Sequence, residues 1–117
     1  MNVKNANNIP LITVGAGRDT QTQVLIGPEE GPNFAMRRFV MQPGGGMPKH
    51  TNTVEHEQYI LSGRATIGID DQEISVKRDD VVFIPAEAPH WYRAEGNEPF
   101  EFLCIVPNLT DKITMVD

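Results

Sequence analysis

Nowhere does this chain sustain the apolar period of an amphipathic helix. Short runs rich in Val, Ile, Phe and Thr recur instead, broken by Gly and Pro. The runs predict strands at Thr22–Gly27, Phe34–Gln42, Glu57–Ser62, Arg64–Ile69, Glu73–Lys77, Val81–Ile84, His90–Ala94 and Phe100–Val106. Ser62-Gly63-Arg64 and Asp70-Asp71-Gln72 read as tight turns between neighbouring strands. Asp79-Asp80 is a turn pair of the same kind. Many short strands joined by tight turns predict an all-β fold, either a closed barrel or a sandwich. Gly44-Gly45-Gly46 reads as a loop. No Lys-Ser/Thr pair follows it and no helix is predicted there, so it is not a phosphate cradle. The first eight residues, and those after Pro107, read as tails or swapped edge pieces.

The 117 residues are expected to form one domain. A chain of this size buries roughly two-thirds of its unfolded surface, enough for one core. One cysteine, Cys104, excludes an internal disulfide framework. No apolar run approaches the roughly 20 residues of a membrane span, and residues 1–8 carry no signal-type apolar segment. A cytoplasmic location is the expectation. The net charge of −6 argues against a nucleic-acid partner, which favours a basic surface.

Alternation along strands divides the side chains between two faces. In the last strand Phe100, Phe102, Cys104 and Val106 form the uncharged set and are expected inside. Glu101, Leu103 and Ile105 share the other face. That face is largely apolar as well, which points to a covering sheet or a homodimer contact. If His56 and His90 face inward, Gln58 and Tyr92 accompany them, while Glu57 and Trp91 face away. In Phe34–Gln42 either Arg37, Phe39 and Met41 or Met36, Arg38 and Val40 face in, and alternation leaves both open.

The chain contains three histidines, His50, His56 and His90. Imidazole is the commonest protein ligand for divalent transition metals. Three imidazoles converging from separate strands would hold such an ion and leave positions free, an arrangement suited to chemistry rather than to structural support. The order Gly44-x5-His50-x-Asn52-x3-His56-x6-Gly63, followed by Pro85-Ala-Glu-Ala-Pro89-His90, resembles the two motifs of the cupin family. The usual first motif is Gly-x5-His-x-His-x3/4-Glu-x6-Gly, and the second is Gly-x5-Pro-x-Gly-x2-His-x3-Asn. Asp79, Glu87 and Ala94 stand at the two glycine slots and the final Asn slot of the second motif, with the Pro-to-His spacing intact. Val24-Leu-Ile-Gly27, Pro32-Asn-Phe34, Met36-Arg37, Pro43-Gly44, Glu55-His-Glu57 and Glu101-Phe-Leu-Cys104 further resemble a small manganese-binding subgroup with four histidine ligands. Asn52 stands where that subgroup has its second histidine.

The resemblance implies a double-stranded β-helix, a jelly-roll barrel, with its metal motifs in residues 44–94. It implies one divalent ion, manganese or iron first and nickel, copper or zinc as alternatives, held by His50, His56 and His90. Asn52 is expected near the ion without being a strong ligand. Glu57 is the competing ligand, but the six-residue spacing to Gly63 favours His56. Gln58, Tyr92, Phe102 and Cys104 are expected to line a substrate pocket. The resemblance also puts Arg37 on the inner face, near the mouth, where it reads either as a clamp for a carboxylate or as a salt-bridged structural residue. Cys104 reads either as a small buried hydrophobe or as a pocket thiol open to oxidation. Neutral imidazoles leave the ion's charge uncompensated, which favours anionic bidentate substrates. The expected function is a metal-dependent oxygenase of the dioxygenase type acting on a small organic molecule. The alternative is a non-catalytic small-molecule or metal-binding sensor.

Overall fold

Strand propensity and pleat alternation account for almost all regular structure in the computed structural model, which describes residues 1–117. The strands are β1 (Ile12–Thr13), β2 (Arg18–Ile26), β3 (Phe34–Asn52), β4 (His56–Ser62), β5 (Arg64–Ile69), β6 (Gln72–Lys77), β7 (Val81–Ile84), β8 (His90–Glu95), β9 (Phe100–Pro107) and β10 (Ile113–Met115). They form one antiparallel sheet, with the order β6-β5-β8-β3-β9-β4-β7; β2 and β10 also pair with β3, and β1 pairs with β2. The sheet curls into the jelly-roll barrel. No helix is long and apolar enough to cross a membrane.

β3 belongs to both halves of the barrel. Residues Phe34 to Met41 pair with β9, and Gly46 to His50 pair with β8. This corrects the loop expected at Gly44–Gly46, which is strand throughout. Gly45 and Gly46 are there for proximity, whereas Gly44 has open space around it and takes φ +82. A Cβ on Gly46 would lie 2.0 Å from the Tyr92 carbonyl oxygen, so only glycine lets the two strands close. The ends of the chain differ from expectation too. Ala6–Asn8 forms a 3-10 turn whose carbonyls, together with that of Ile9, receive the buried Gln23 side chain at 3.1 and 2.8 Å. The segment after Pro107 is neither a tail nor swapped, because β10 lies on its own β3, with Ile113 opposite Asn52 and Met115 opposite His50. β2 begins four residues earlier than expected and β1 was not foreseen, since two residues carry too little alternation to detect.

The turn expectations agree with the structure. Gly63 joins β4 to β5 at φ +74, a region in which a side chain is strained. Asp70 and Asp79 also take positive φ, and the Asp80 carboxylate accepts from the Lys77 backbone N–H at 2.9 Å.

Alternation sets the interior. In β9 Phe100, Phe102, Cys104 and Val106 are buried while Glu101, Leu103 and Ile105 are half-buried. One end of the barrel is filled by Met41, Ile60, Ile67, Ile84 and Phe100, all fully buried. Burying side chains of this size stabilises by roughly 1.5–3 kcal/mol each. That apolar plug leaves the other end free for polar groups.

Candidate metal centre

The polar end of the barrel is a cavity of about 210 Å³. His50, His56, His90, Asn52, Gln58, Tyr92, Phe102, Cys104 and Arg37 all line it. β3 supplies Arg37, His50 and Asn52, β4 supplies His56 and Gln58, β8 supplies His90 and Tyr92, and β9 supplies Phe102 and Cys104. β4, β8 and β9 each contribute residues two apart, as one face of a pleat requires; in β3 a register shift between Met47 and His50 brings His50 and Asn52 to the same side as Arg37. The open choice in β3 resolves to Arg37, Phe39 and Met41 inside. Arg38 lies on the outer face, paired with Glu101 and donating to Gln23 Oε1 at 2.9 Å. Glu57 is exposed, so pleating turns it away from the cavity.

His50 and His90 are each held by the backbone two residues earlier. His50 Nδ1 donates to the Pro48 carbonyl at 2.7 Å and His90 Nδ1 to the Ala88 carbonyl at 2.9 Å. A carbonyl only accepts, so the proton sits on Nδ1 and Nε2 keeps its lone pair. This is the support that metal-binding imidazoles require. Burial pushes the pKa of His90 down to about 4. Burial, and then the charge of Arg37, push that of His56 down to about 3. Both rings are therefore neutral at pH 7. His56 Nε2 is buried without a hydrogen-bond partner.

Ring centroids are 4.2 Å apart for His50 and His90, and 5.6 Å for His56 and His90. Imidazoles bound to one ion through nitrogen at ~2.0–2.1 Å place their centroids ~4–6 Å apart. As the side chains stand, no three His, Cys, Asp or Glu groups converge closely enough to hold an ion. The donor set fits a divalent transition metal in its chemistry: three imidazoles, two with fixed tautomers and one with an unpartnered nitrogen.

Beside His56 lies a second cluster. Cys104 Sγ is 3.2 Å from His56 Nδ1, and Arg37 Nη2 donates to the same sulfur at 3.3 Å. Arg37 Nη2 is also 3.5 Å from His56 Nδ1, and its guanidinium sits 5.1 Å from the Phe39 ring. Arg37 is thus half-buried in the cavity wall, with its guanidinium against the histidine itself. Its Nε is buried without a partner. Gln58 Nε2 donates to the Tyr92 hydroxyl at 2.7 Å, and Gln58 Oε1 is left unpartnered. Burial raises the Tyr92 pKa, so the phenol stays protonated. Tyr92 stacks on Phe102 at 5.3 Å.

Asn52 carries the remaining buried acceptor without a partner, Oδ1. Such an acceptor left unpaired costs about 1–3 kcal/mol. Four orphaned polar atoms lining one cavity therefore mark a place where water or a ligand can complete the hydrogen bonding. Sequence reasoning did not identify Val14, Thr22, Met47 and Ile113 as cavity walls. Met47 lies between Pro43 and Pro48, which hide the strand. Ile113 belongs to a three-residue strand with no readable period.

A Cupin domain signature matches residues 37–106, more than half of the chain. A cupin 2 domain-containing protein from Halorhodospira halophila is 32% identical, with 84% of this chain and 70% of that one covered and a TM-score of 0.79. The polyketide cyclase RemF from Streptomyces resistomycificus superimposes with a TM-score of 0.92 over 100% of this chain and 86% of its own, at 24% identity. That likeness shows the fold. An uncharacterised protein of Methanocaldococcus jannaschii is 38% identical over 52 residues, 44% of this chain and 42% of that protein. The chain thus spans less than half the length of that relative. The signature runs from Arg37 to Val106, through every strand that lines the cavity with the predicted residues, and the chain belongs to the cupin family.

Proposed function

We propose that this cupin holds one divalent transition metal ion, manganese or iron first, on His50, His56 and His90, and acts as an oxygenase on a small organic anion. The observation that supports this best is the pair of Nδ1–carbonyl bonds on His50 and His90, which leave Nε2 unprotonated on two rings that line one cavity with the neutral ring of His56. When bound, the ion supplies Lewis acidity, and if it is redox-active, an electron relay to dioxygen. The protein supplies the rest. The three rings bring no negative charge, and no carboxylate lines the cavity, so the anionic partner is left to the substrate. Arg37 binds the anion, with its unpartnered Nε as the free donor. Gln58 Oε1 accepts a hydrogen bond from a substrate hydroxyl or amide. The Tyr92 hydroxyl accepts from Gln58 and keeps its own proton to donate. Phe39, Phe102 and the Tyr92 ring exclude water from the apolar part of the ligand. The absence of a carboxylate also leaves the cavity without an acidic general base, which favours a substrate already ionised over isomerase or lyase chemistry. Asn52 in place of a fourth histidine leaves a position more exchangeable than in the four-histidine manganese subgroup.

One observation favours a second reading, a non-catalytic sensor that binds a small molecule without an ion. The three rings do not converge as placed, and His56 is engaged by Arg37 and Cys104. Metal analysis of protein purified without a polyhistidine tag separates the two, followed by oxygen uptake against small enolisable acids and diketones. Stoichiometric metal with substrate-dependent oxygen consumption supports the oxygenase. Metal-free protein that still binds such acids supports the sensor.

A further inference from the structure

The C-terminal segment reaches the histidine cluster through one residue. Asp111 Oδ2 accepts from Asn52 Nδ2 at 2.8 Å, and its Oδ1 accepts from the Thr53 backbone N–H at 2.9 Å. Thr53 ties the same segment from its side: its hydroxyl donates to the Thr110 carbonyl at 3.1 Å and accepts from the Lys112 N–H at 2.9 Å. β10 then runs antiparallel to the end of β3 that carries His50 and Asn52, and Val116 N–H closes on the Lys49 carbonyl at 3.0 Å. An ionised carboxylate only accepts, so it can face only the NH₂ end of the Asn52 amide. The oxygen end is turned the other way. It is buried, without a partner, in a side chain 5% exposed that lines the cavity two residues after His50. Without Asp111 the amide could flip and present NH₂, which cannot bind a cation.

We infer that Asp111 is a positioning residue that presents the Asn52 carbonyl oxygen to the ion as a fourth, neutral donor, and so makes β10 part of the site. The inference rests on the metal-binding reading above. It assigns Asn52 a definite atom and orientation, and it gives a role to a segment outside both histidine motifs. A neutral oxygen beside three nitrogens is a harder donor set than four imidazoles, which shifts preference toward manganese and iron and away from copper.

The test uses the whole chain, metal-free, titrated with Mn²⁺ by calorimetry, and with Zn²⁺ while the side-chain amide signals of ¹⁵N-labelled protein are followed. Stoichiometric Zn²⁺ is expected to move the Asn52 Nδ2H₂ signal, identified by its loss in Asn52→Ala. Asp111→Ala should weaken Mn²⁺ binding ~10–100-fold, the range for residues that orient a ligand. In an Asn52→Ala background the same substitution should change affinity by no more than about 3-fold, because its effect passes through the amide. Asp111→Asn leaves one oxygen for two donors, the Thr53 N–H and the Asn52 NH₂, so it should also weaken Mn²⁺ binding, and only while Asn52 is present. If Asp111→Ala does not fold, Asp111→Asn and the amide signal decide. An unmoved Asn52 signal overturns the inference. So does an equal loss from Asp111→Ala with and without Asn52, or unchanged affinity in Asp111→Asn; each leaves the histidine site standing. No Mn²⁺ or Zn²⁺ binding by the parent chain overturns both readings.

Discussion

Mild acid should destabilise the metal-free protein through its histidines. The perturbation is a drop from pH 7.5 to pH 5.0 in the presence of a chelator. His90 has its pKa lowered from 6.5 to about 4 by burial. The unfolded chain therefore binds a proton near pH 6.5 that the folded chain refuses until about pH 4. Stability depends on the difference in bound protons, so it is fully present above pH 6.5 and falls as pH drops toward the folded value. Each pKa unit is worth about 1.4 kcal/mol, and at pH 5.0 His90 accounts for a loss of about 2 kcal/mol. His56, lowered to about 3, adds a similar amount. Against a total stability of about 5–15 kcal/mol this is a large fraction. For a domain of this length it corresponds to a fall in Tm on the order of 10–15 °C. The assay is thermal unfolding by circular dichroism at half-unit pH steps between 7.5 and 5.0, above the range where ordinary carboxylates protonate. His90→Gln should show about half the slope. A parent Tm flat across this window, or an unchanged slope in His90→Gln, would refute the claim that these rings are held neutral by burial.

Four further outcomes are expected. His50→Ala, His56→Ala and His90→Ala should each sharply lower metal content after dialysis while far-UV circular dichroism stays that of the barrel, and full metal retention in two of the three would remove the ligand assignment. Asn52→His should tighten Mn²⁺ binding by calorimetry and lower any oxygen-dependent turnover, since a strong donor replaces a weak one at an exchangeable position; unchanged affinity would mean that residue 52 does not face the ion. The chain should sediment as a homodimer at micromolar concentration, because Tyr59, Val81 and Phe83 are exposed on the outer face beside half-buried Leu103 and Ile105, and a monomer boundary would count against it. Cys104, 3.2 Å from His56, should be oxidised by peroxide ahead of the five methionines when iron is bound, as read by peptide mass spectrometry, and equal oxidation without metal would dissociate the thiol from the ion.

The interior face of the barrel was legible from alternation alone, because one charged residue per strand pair is enough to tell the faces apart. Phe100, Phe102, Cys104 and Val106 were read that way and are buried. Alternation anchored on His56 and His90 likewise placed Gln58 and Tyr92 in the cavity. Arg37 against Arg38 was not decidable locally, since both neighbours are apolar and the choice depends on Glu101 across β9. The passage through Pro43 and three glycines was misread because their local preference is for loops. Tertiary closeness to Tyr92, which no local rule sees, is what selects glycine at position 46. The part played by Asp111 had no local signal at all, as it depends on a pairing 59 residues distant in sequence.

The long strand β3 builds two walls of the cavity on one backbone. Its first half presents Arg37 and Phe39 from the wall formed with β9, and its second half presents His50 and Asn52 from the wall formed with β8. Between them lie Gln42, Pro43, Gly44 and Gly45, none of which pairs with either partner strand. Substitutions on the two sides of this neutral stretch are therefore separable in a way that swaps within one pleated face are not. On the metal-binding reading, a library at position 39 can vary which organic group is accepted while the ligands at 50 and 52 stay constant. Position 37 is the exception, because Arg37 touches His56 and reaches the ion through it.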